Sequence, residues 1–159
     1  LTMDVNTVAP MVLTLQVLPD MLKRNRGHIC NIASAGGMLG NPKMSVYGAS
    51  KWAVIGWSES MRIELQQRKA NVHVTTVAPY FISTGMFQGV RSIFPILKPE
   101  PTAQKIIRAI ERNTIFAGIP FGYHFIRFWQ AILPLRVFDW LFGTVFGIYR
   151  TMDHFTGRK

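Results

Sequence analysis

Residues His28–Ala53 read HICNIASAGGMLGNPKMSVYGASKWA, and the fold turns on how this stretch divides. His28–Ala33 is mostly apolar and follows a stop signal, Asn25-Arg26-Gly27. It predicts a short strand buried on both faces. Ala35–Lys43 carries three glycines and Pro42 and predicts a loop. From Val46 onward Trp52, Val54, Ile55, Trp57, Met61 and Leu65 recur at helical spacing. They predict a long helix over 46–68, closed by basic Arg68 and Lys69 where the helix dipole favours cations.

The same pattern extends outward on both sides. Val8, Met11, Val12, Leu15, Leu18 and Leu22 predict a helix over 3–24, which Pro19 bends or tightens near its end. Val72–Ala78 is rich in β-branched residues and predicts a second strand that Pro79 ends. A loop runs to about Pro101, Thr102 caps a third helix reaching Asn113, and Thr114–Ile119 predicts one more strand. The order α, β, α, β, α, β implies parallel pairing in a doubly wound α/β layer structure, of which about half a sheet is present.

With 159 residues the chain can bury a core, and 48% hydrophobic against 16% charged residues exclude a disordered polar segment. The formal net charge is +10. The basic residues form no dense run interleaved with aromatics, so no nucleic-acid partner is expected, while an anionic membrane surface suits the excess. Cys30 is the single cysteine, which excludes an internal disulfide and reads as a small packing residue. His28, His73, His124 and His154 show no metal-ligand spacing, and no metal is expected.

Tyr47 and Lys51 stand four residues apart, so on a helix they share a face. A free phenol titrates near pH 10, and a neighbouring ammonium favours its phenolate. A phenol so placed can exchange a proton with a substrate hydroxyl. Ser34 lies thirteen residues earlier, at the carboxyl end of the first predicted strand, where open α/β sheets bind ligands. Its hydroxyl can hold a substrate oxygen there; its plainer role is a turn serine in Ser34-Ala35-Gly36-Gly37.

The segments NIASAGG (31–37), YGASKWA (47–53) and VAPYFISTGM (77–86) resemble the short-chain dehydrogenase/reductase family over about residues 4–84. The resemblance implies a Rossmann-like sheet and an oxidoreductase that moves hydride between NAD or NADP and an alcohol or carbonyl. It implies a tetrad in which Tyr47 is the general acid/base. Lys51 holds the nicotinamide ribose and depresses the Tyr47 pKa, and Ser34 orients the substrate oxygen. Asn6, in DVNTVAP, supports a water leading to Lys51; its plainer reading is a polar kink in a helix. Pro79, Ile82 and Thr84 match positions around the nicotinamide carboxamide, and Tyr80 stands where the family usually has glycine. Gly36, Gly37 and Gly40 lack the G-x-G-x-x-G spacing, so the loop is read as making room for cofactor or substrate.

The family's pyrophosphate turn and adenosine pocket have no counterpart in these residues. The chain is therefore read as the C-terminal part of a longer enzyme, inactive by itself and aggregation-prone along an unpaired sheet edge. Residues 1–119 would be half of a dinucleotide-binding domain and 120–159 a helical tail. Ten of the chain's aromatic residues lie between Phe121 and Tyr149, among Arg127, Arg136 and Arg150. The mixture suits an amphipathic helix in a membrane interface or, equally, the walls of a substrate pocket.

PYFISTGMFQGV (79–90), LKPE (97–100) and TMDHFTGRK (151–159) resemble the subgroup of retinol dehydrogenases and lipid-droplet hydroxysteroid dehydrogenases. That implies a lipophilic substrate, retinoid, steroid or related lipid, a homodimer, and a place on the cytosolic face of the endoplasmic reticulum or lipid droplets. The alternatives are a nucleotide-sugar epimerase or dehydratase, which shares the Tyr–Lys pair but needs a larger C-terminal domain, and a non-catalytic membrane-docking protein.

Overall fold

The computed structural model describes residues 1–157. Three strands, β1 (Gly27–Ile32), β2 (Val72–Pro79) and β3 (Phe116–Ile119), form a parallel sheet in the order β1-β2-β3. Helices α1 (Ala9–Lys23), α2 (Ser45–Gln67) and α3 (Pro99–Glu111) alternate with them, as the periodicities predict.

The period of two along the strands sorts these helices onto opposite faces. Ile29, Val72 and Val74 pack with Met61 and Leu65 of α2, and Leu18, Met21 and Leu22 of α1 close the same cluster. Val77, Ala117 and Ile119 instead meet Ala109 and Ile106 of α3, with half-buried Cys30 against them. Polar clamps tie α2 to the sheet: the Asn31 amide donates to Ser58 Oγ at 2.8 Å, which donates to the Val54 carbonyl at 2.6 Å. Ser58 is fully buried, so each bond is needed where water cannot replace it.

Three expectations need correction. β1 is not buried on both faces: Ile32 is 45% exposed, because β1 is the edge of the described sheet. The third helix begins at Pro99, not at a Thr102 cap; proline fits the first helical turn, and Thr102 bonds back to the Lys98 carbonyl from inside it. The tail is not one amphipathic helix. It breaks at Pro134 into α4 (Ile126–Ile132) and α5 (Leu135–Phe138), with a π-helical turn at Asp139–Val145 and 3-10 turns at Phe121–Phe125 and Ile148–Arg150.

The first helix also differs locally. Asp4–Val8 is a π-helical turn leading into α1, which continues through Pro19. Asp4–Lys23 is long and apolar enough, by length and composition, to cross a membrane. One side nonetheless docks on α2: Thr7 is buried, and its hydroxyl donates to the Ser50 carbonyl at 3.0 Å. The other side leaves Val5, Val8, Val12, Leu13 and Leu15 exposed.

The parallel register brings all three strand carboxyl ends to one edge. Ile32 pairs with Val77, and Pro79 with Ile119. Ser34, the segment after Pro79 and the turn after Pro120 therefore converge there. Over that edge lies the largest core cluster, in which Met38, Leu39, Met44, Tyr80 and Phe81 meet Tyr123, Ile126, Phe138 and Ile148 from the tail.

The last described residues strap this region together. Asn41 Nδ2 donates to Thr151 Oγ1 at 2.9 Å and Lys43 pairs with Asp153 at 3.0 Å on one side. On the other side the Arg91 amide donates to the Thr151 carbonyl, and the Thr156 amide to the Gln88 carbonyl, both at 3.1 Å. Gly89 has φ +82°, and a Cβ there would collide with the His154 carbonyl, so the strap and the loop meet only because this position is glycine.

Candidate active site

The cavity at the strand ends has a volume of about 260 Å³. Ser34, Tyr47, Lys51, Pro79, Ile82 and Thr84 all line it. Six of the seven site residues predicted from sequence thus meet in one place, although fifty residues separate the outermost.

Each is placed by local chemistry. Ser34 has extended backbone just past β1 and accepts the Gly36 amide on Oγ at 3.1 Å, capping the short turn Ala35–Gly37. The turn serine and the site serine are one residue. Gly37 lets that turn lie on α2: a Cβ there would come within 2.7 Å of the Lys51 backbone carbon and 2.8 Å of its oxygen. A Cβ on Gly48 would stand 3.2 Å from the Gly36 carbonyl. Gly37 and Gly48 thus serve the contact between turn and helix, while Gly36 lines the cavity.

One helical turn separates Tyr47 from Lys51, and the Lys51 ammonium lies 5.9 Å from the Tyr47 ring centroid. Its Nζ donates to the Ile32 carbonyl at 3.0 Å. An ammonium has three donors, so the others remain for a ligand. Burial holds the Lys51 amine below its ordinary pKa. Burial also pushes the Tyr47 phenol above its ordinary value, and the nearby Ser34 hydroxyl offsets part of that rise. The depression by Lys51 inferred from spacing is thus not what dominates: desolvation outweighs an ammonium aimed at a backbone carbonyl.

Asn6 lies outside the cavity. Its amide donates to Ser50 Oγ at 3.1 Å, and that hydroxyl donates to the Tyr47 carbonyl at 2.6 Å. The π turn holding Asn6 therefore braces the turn of α2 between Tyr47 and Lys51. Such turns recur at functional sites, but a hydrophobic periodicity does not reveal them.

The remaining wall escaped sequence reasoning. Leu39, Asn41, Met44, Phe81, Met86, Phe87, Tyr123 and Ile148 complete it. Tyr80 is buried against Phe81 and Tyr123, and its hydroxyl meets Ser92 Oγ at 2.7 Å, which makes it an aromatic wall where the family has glycine. Among these only Tyr80, beside Pro79, carried a signal in the sequence.

A phenol, an ammonium with donors to spare and a strand-end hydroxyl thus surround one largely apolar cavity. A family model described as short chain dehydrogenase matches residues 1–93, and the chain belongs to that family. The chain is 37% identical over 161 residues to epidermal retinol dehydrogenase 2 of Mus musculus, covering 98% of this chain and 52% of the relative. It is 35% identical to retinol dehydrogenase 10 of Homo sapiens, covering 85% of this chain and 42% of that protein. It thus spans about half the length of these curated relatives. Among solved structures, a short chain dehydrogenase from Burkholderia cenocepacia J2315 in complex with NADP superposes with a TM-score of 0.68 at 25% identity. That match covers 82% of this chain and 53% of the other. One from Sphingobium yanoikuyae in complex with NADPH gives 0.66 at 25% identity, covering 80% and 50%.

Proposed function

We propose that the chain forms the catalytic part of an NAD(P)-dependent oxidoreductase acting on the CH–OH group of a lipophilic alcohol, a retinoid, steroid or related lipid. The observation that carries this reading is the single cavity shared by Ser34, Tyr47 and Lys51 with Pro79, Ile82 and Thr84. The donor set fits the nicotinamide end of the cofactor: Lys51 has free donors for the ribose, and Pro79, Ile82 and Thr84 edge the cavity beside it. When bound, the nicotinamide accepts or supplies the hydride at the carbinol carbon.

The chain's own residues handle the oxygen and its proton. Ser34 Oγ, anchored by the Gly36 amide, holds the substrate oxygen beside the Tyr47 phenol. In the oxidative direction Tyr47 takes the hydroxyl proton; in the reductive direction it returns one. Lys51, pinned on Ile32, supplies positive charge that stabilises the phenolate as it forms. Asn6, through Ser50, keeps the Tyr47 turn in register with Lys51. The apolar wall of Leu39, Phe81 and Phe87 suits a hydrocarbon substrate.

In this reading residues 1–119 are the C-terminal half of a dinucleotide-binding domain, and 120–159 form a tail that both walls the pocket and faces a membrane surface at the endoplasmic reticulum or lipid droplet. The exposed apolar side of α1 suits a homodimer contact, and a monomer in sedimentation velocity would remove it. Replacing Tyr47 by Phe in the full-length enzyme should lower kcat by about 10²–10⁴ and leave cofactor affinity near its starting value. Near-normal turnover in that variant would sink the assignment.

A further inference from the structure

A smaller cavity, of about 150 Å³, adjoins the one that holds Tyr47. The two share Leu39, Tyr123 and Ile148, all buried. Phe94, Pro120, Gly122, Ile126 and Phe142 line the second and not the first.

This chamber is built mostly by the tail. Phe94 comes from the loop after β2, Pro120 and Gly122 from the turn after β3, Ile126 from α4 and Phe142 from the π-helical turn. Neighbouring rings hold its aromatic side in place. Phe142 stacks on Phe138 at 4.4 Å between centroids and meets Phe146 edge-on at 5.4 Å, and Phe146 meets Phe94 at 6.1 Å.

The five residues that line only the chamber carry no polar side-chain atom. Tyr123 does carry one, but its hydroxyl is shielded from solvent, so the polar end of that side chain faces neither cavity. Hydrocarbon placed here gains by leaving water. A polar group would lose its hydration with no hydrogen bond in return.

The reacting end of a substrate is fixed at Ser34 and Tyr47, so its far end is what can reach past Leu39. Leu39 lies in the loop between the Ala35–Gly37 turn and α2. A leucine side chain there can change rotamer, as a stretch of backbone cannot. A wider space also borders Leu39, on the side of Gly40, Ser45, Gly48 and Trp52. Glycine backbone, Asn41 and Ser45 contribute to its lining, so it suits a hydrocarbon chain less well.

We infer that the chamber beyond Leu39 is a subsite for the far end of the substrate. The substrate class is then an elongated lipid alcohol whose end opposite the carbinol is plain hydrocarbon. The inference rests on the proposed function for which end is held at Tyr47, but occupancy of the chamber does not.

The test gives the full-length protein straight-chain primary alcohols from hexanol to hexadecanol. While the chain is being buried, kcat/KM should rise about three- to fourfold per added methylene. A hexadecanol with a second hydroxyl on its far carbon should be used about tenfold less well than hexadecanol. Phe142→Ala should shrink the hexadecanol-to-hexanol ratio about tenfold. That ratio is taken within one preparation, so a partly unfolded variant leaves it readable. An unchanged ratio in Phe142→Ala, or equal use of the far-end hydroxylated chain, would overturn the subsite. Photolabelling of the parent protein needs no variant: hexadecanol with a terminal diazirine should label Phe94, Ile126 or Phe142. Label confined to Ser45–Trp52, or to the outward surface of the tail, overturns the subsite. Labelling does not depend on turnover, which separates the two proposals. Chamber label in a protein that oxidises no alcohol supports the subsite while the catalytic reading falls; normal turnover without chamber label overturns the subsite alone.

Discussion

At the scale of single residues the site depends on glycines as much as on the groups that react. Gly37 has no room for a side chain because the Lys51 backbone lies against it, and backbone cannot swing aside as a side-chain tip can. Gly37→Ala should therefore destabilise the protein by about 1–3 kcal/mol, read as a lower denaturation midpoint. It should also weaken Lys51-dependent cofactor binding, because the turn that carries Ser34 is pushed off α2. An unchanged midpoint would show that turn and helix do not touch as described. The spacing of Ser34, Tyr47 and Lys51 was legible because it follows local rules: strand end, helical turn, four-residue repeat. The burial that pushes Tyr47 upward was not, since desolvation is supplied by Phe81, Phe87 and Met44, which are distant in the sequence or silent in it.

At the scale of elements, the parallel pairing of β1 with β2 stacks His28 beside His73, with ring centroids 5.9 Å apart. His28 Nε2 also meets Thr75 Oγ1 at 2.8 Å. Burial first, and then the His73 charge, hold the His28 pKa below its ordinary value, with Asn113 opposing the shift. The unfolded chain therefore binds this proton more readily than the folded one. Stability contributed by neutral His28 is present above the unfolded pKa of about 6.5 and is lost as pH falls through the folded value. In a urea-melt series between neutral and mildly acidic pH, His28→Asn should flatten the acid-side loss of stability. A slope equal to that of the parent would place the titration elsewhere. Periodicity located β1, α2 and β2 within a residue or two. It misplaced the start of α3, where two prolines in the first turn outweighed Thr102 as a starting signal, and it could not show the π turn at Asn6.

For the whole molecule, the tail divides between core and surface. Tyr123, Ile126, Phe138 and Ile148 turn inward and build the core over the strand ends. Phe121 (70% exposed), Leu135 (74%) and Trp140 (61%) turn outward with Arg136, while Arg127 pairs with Glu59. Such an apolar and basic surface is suited to an anionic bilayer, where buried aromatics and screened cations both contribute. In flotation, the full-length protein should rise with phosphatidylserine-containing vesicles, and less of it should do so as salt increases. Recovery only in the pellet fraction, whatever the lipid, would remove the membrane from the proposal.

What the amino-acid order decided alone was everything governed by short repeats. The alternation of strands and helices, the parallel sheet it implies, and the residues gathered at the strand ends belong there, because hydrogen bonding and hydrophobic period act over a few neighbours. Tertiary structure alone decided how the tail splits into core and surface and how Thr151 bridges Asn41 and Arg91. Those outcomes depend on contacts between residues up to 110 positions apart, and no local pattern encodes such pairings.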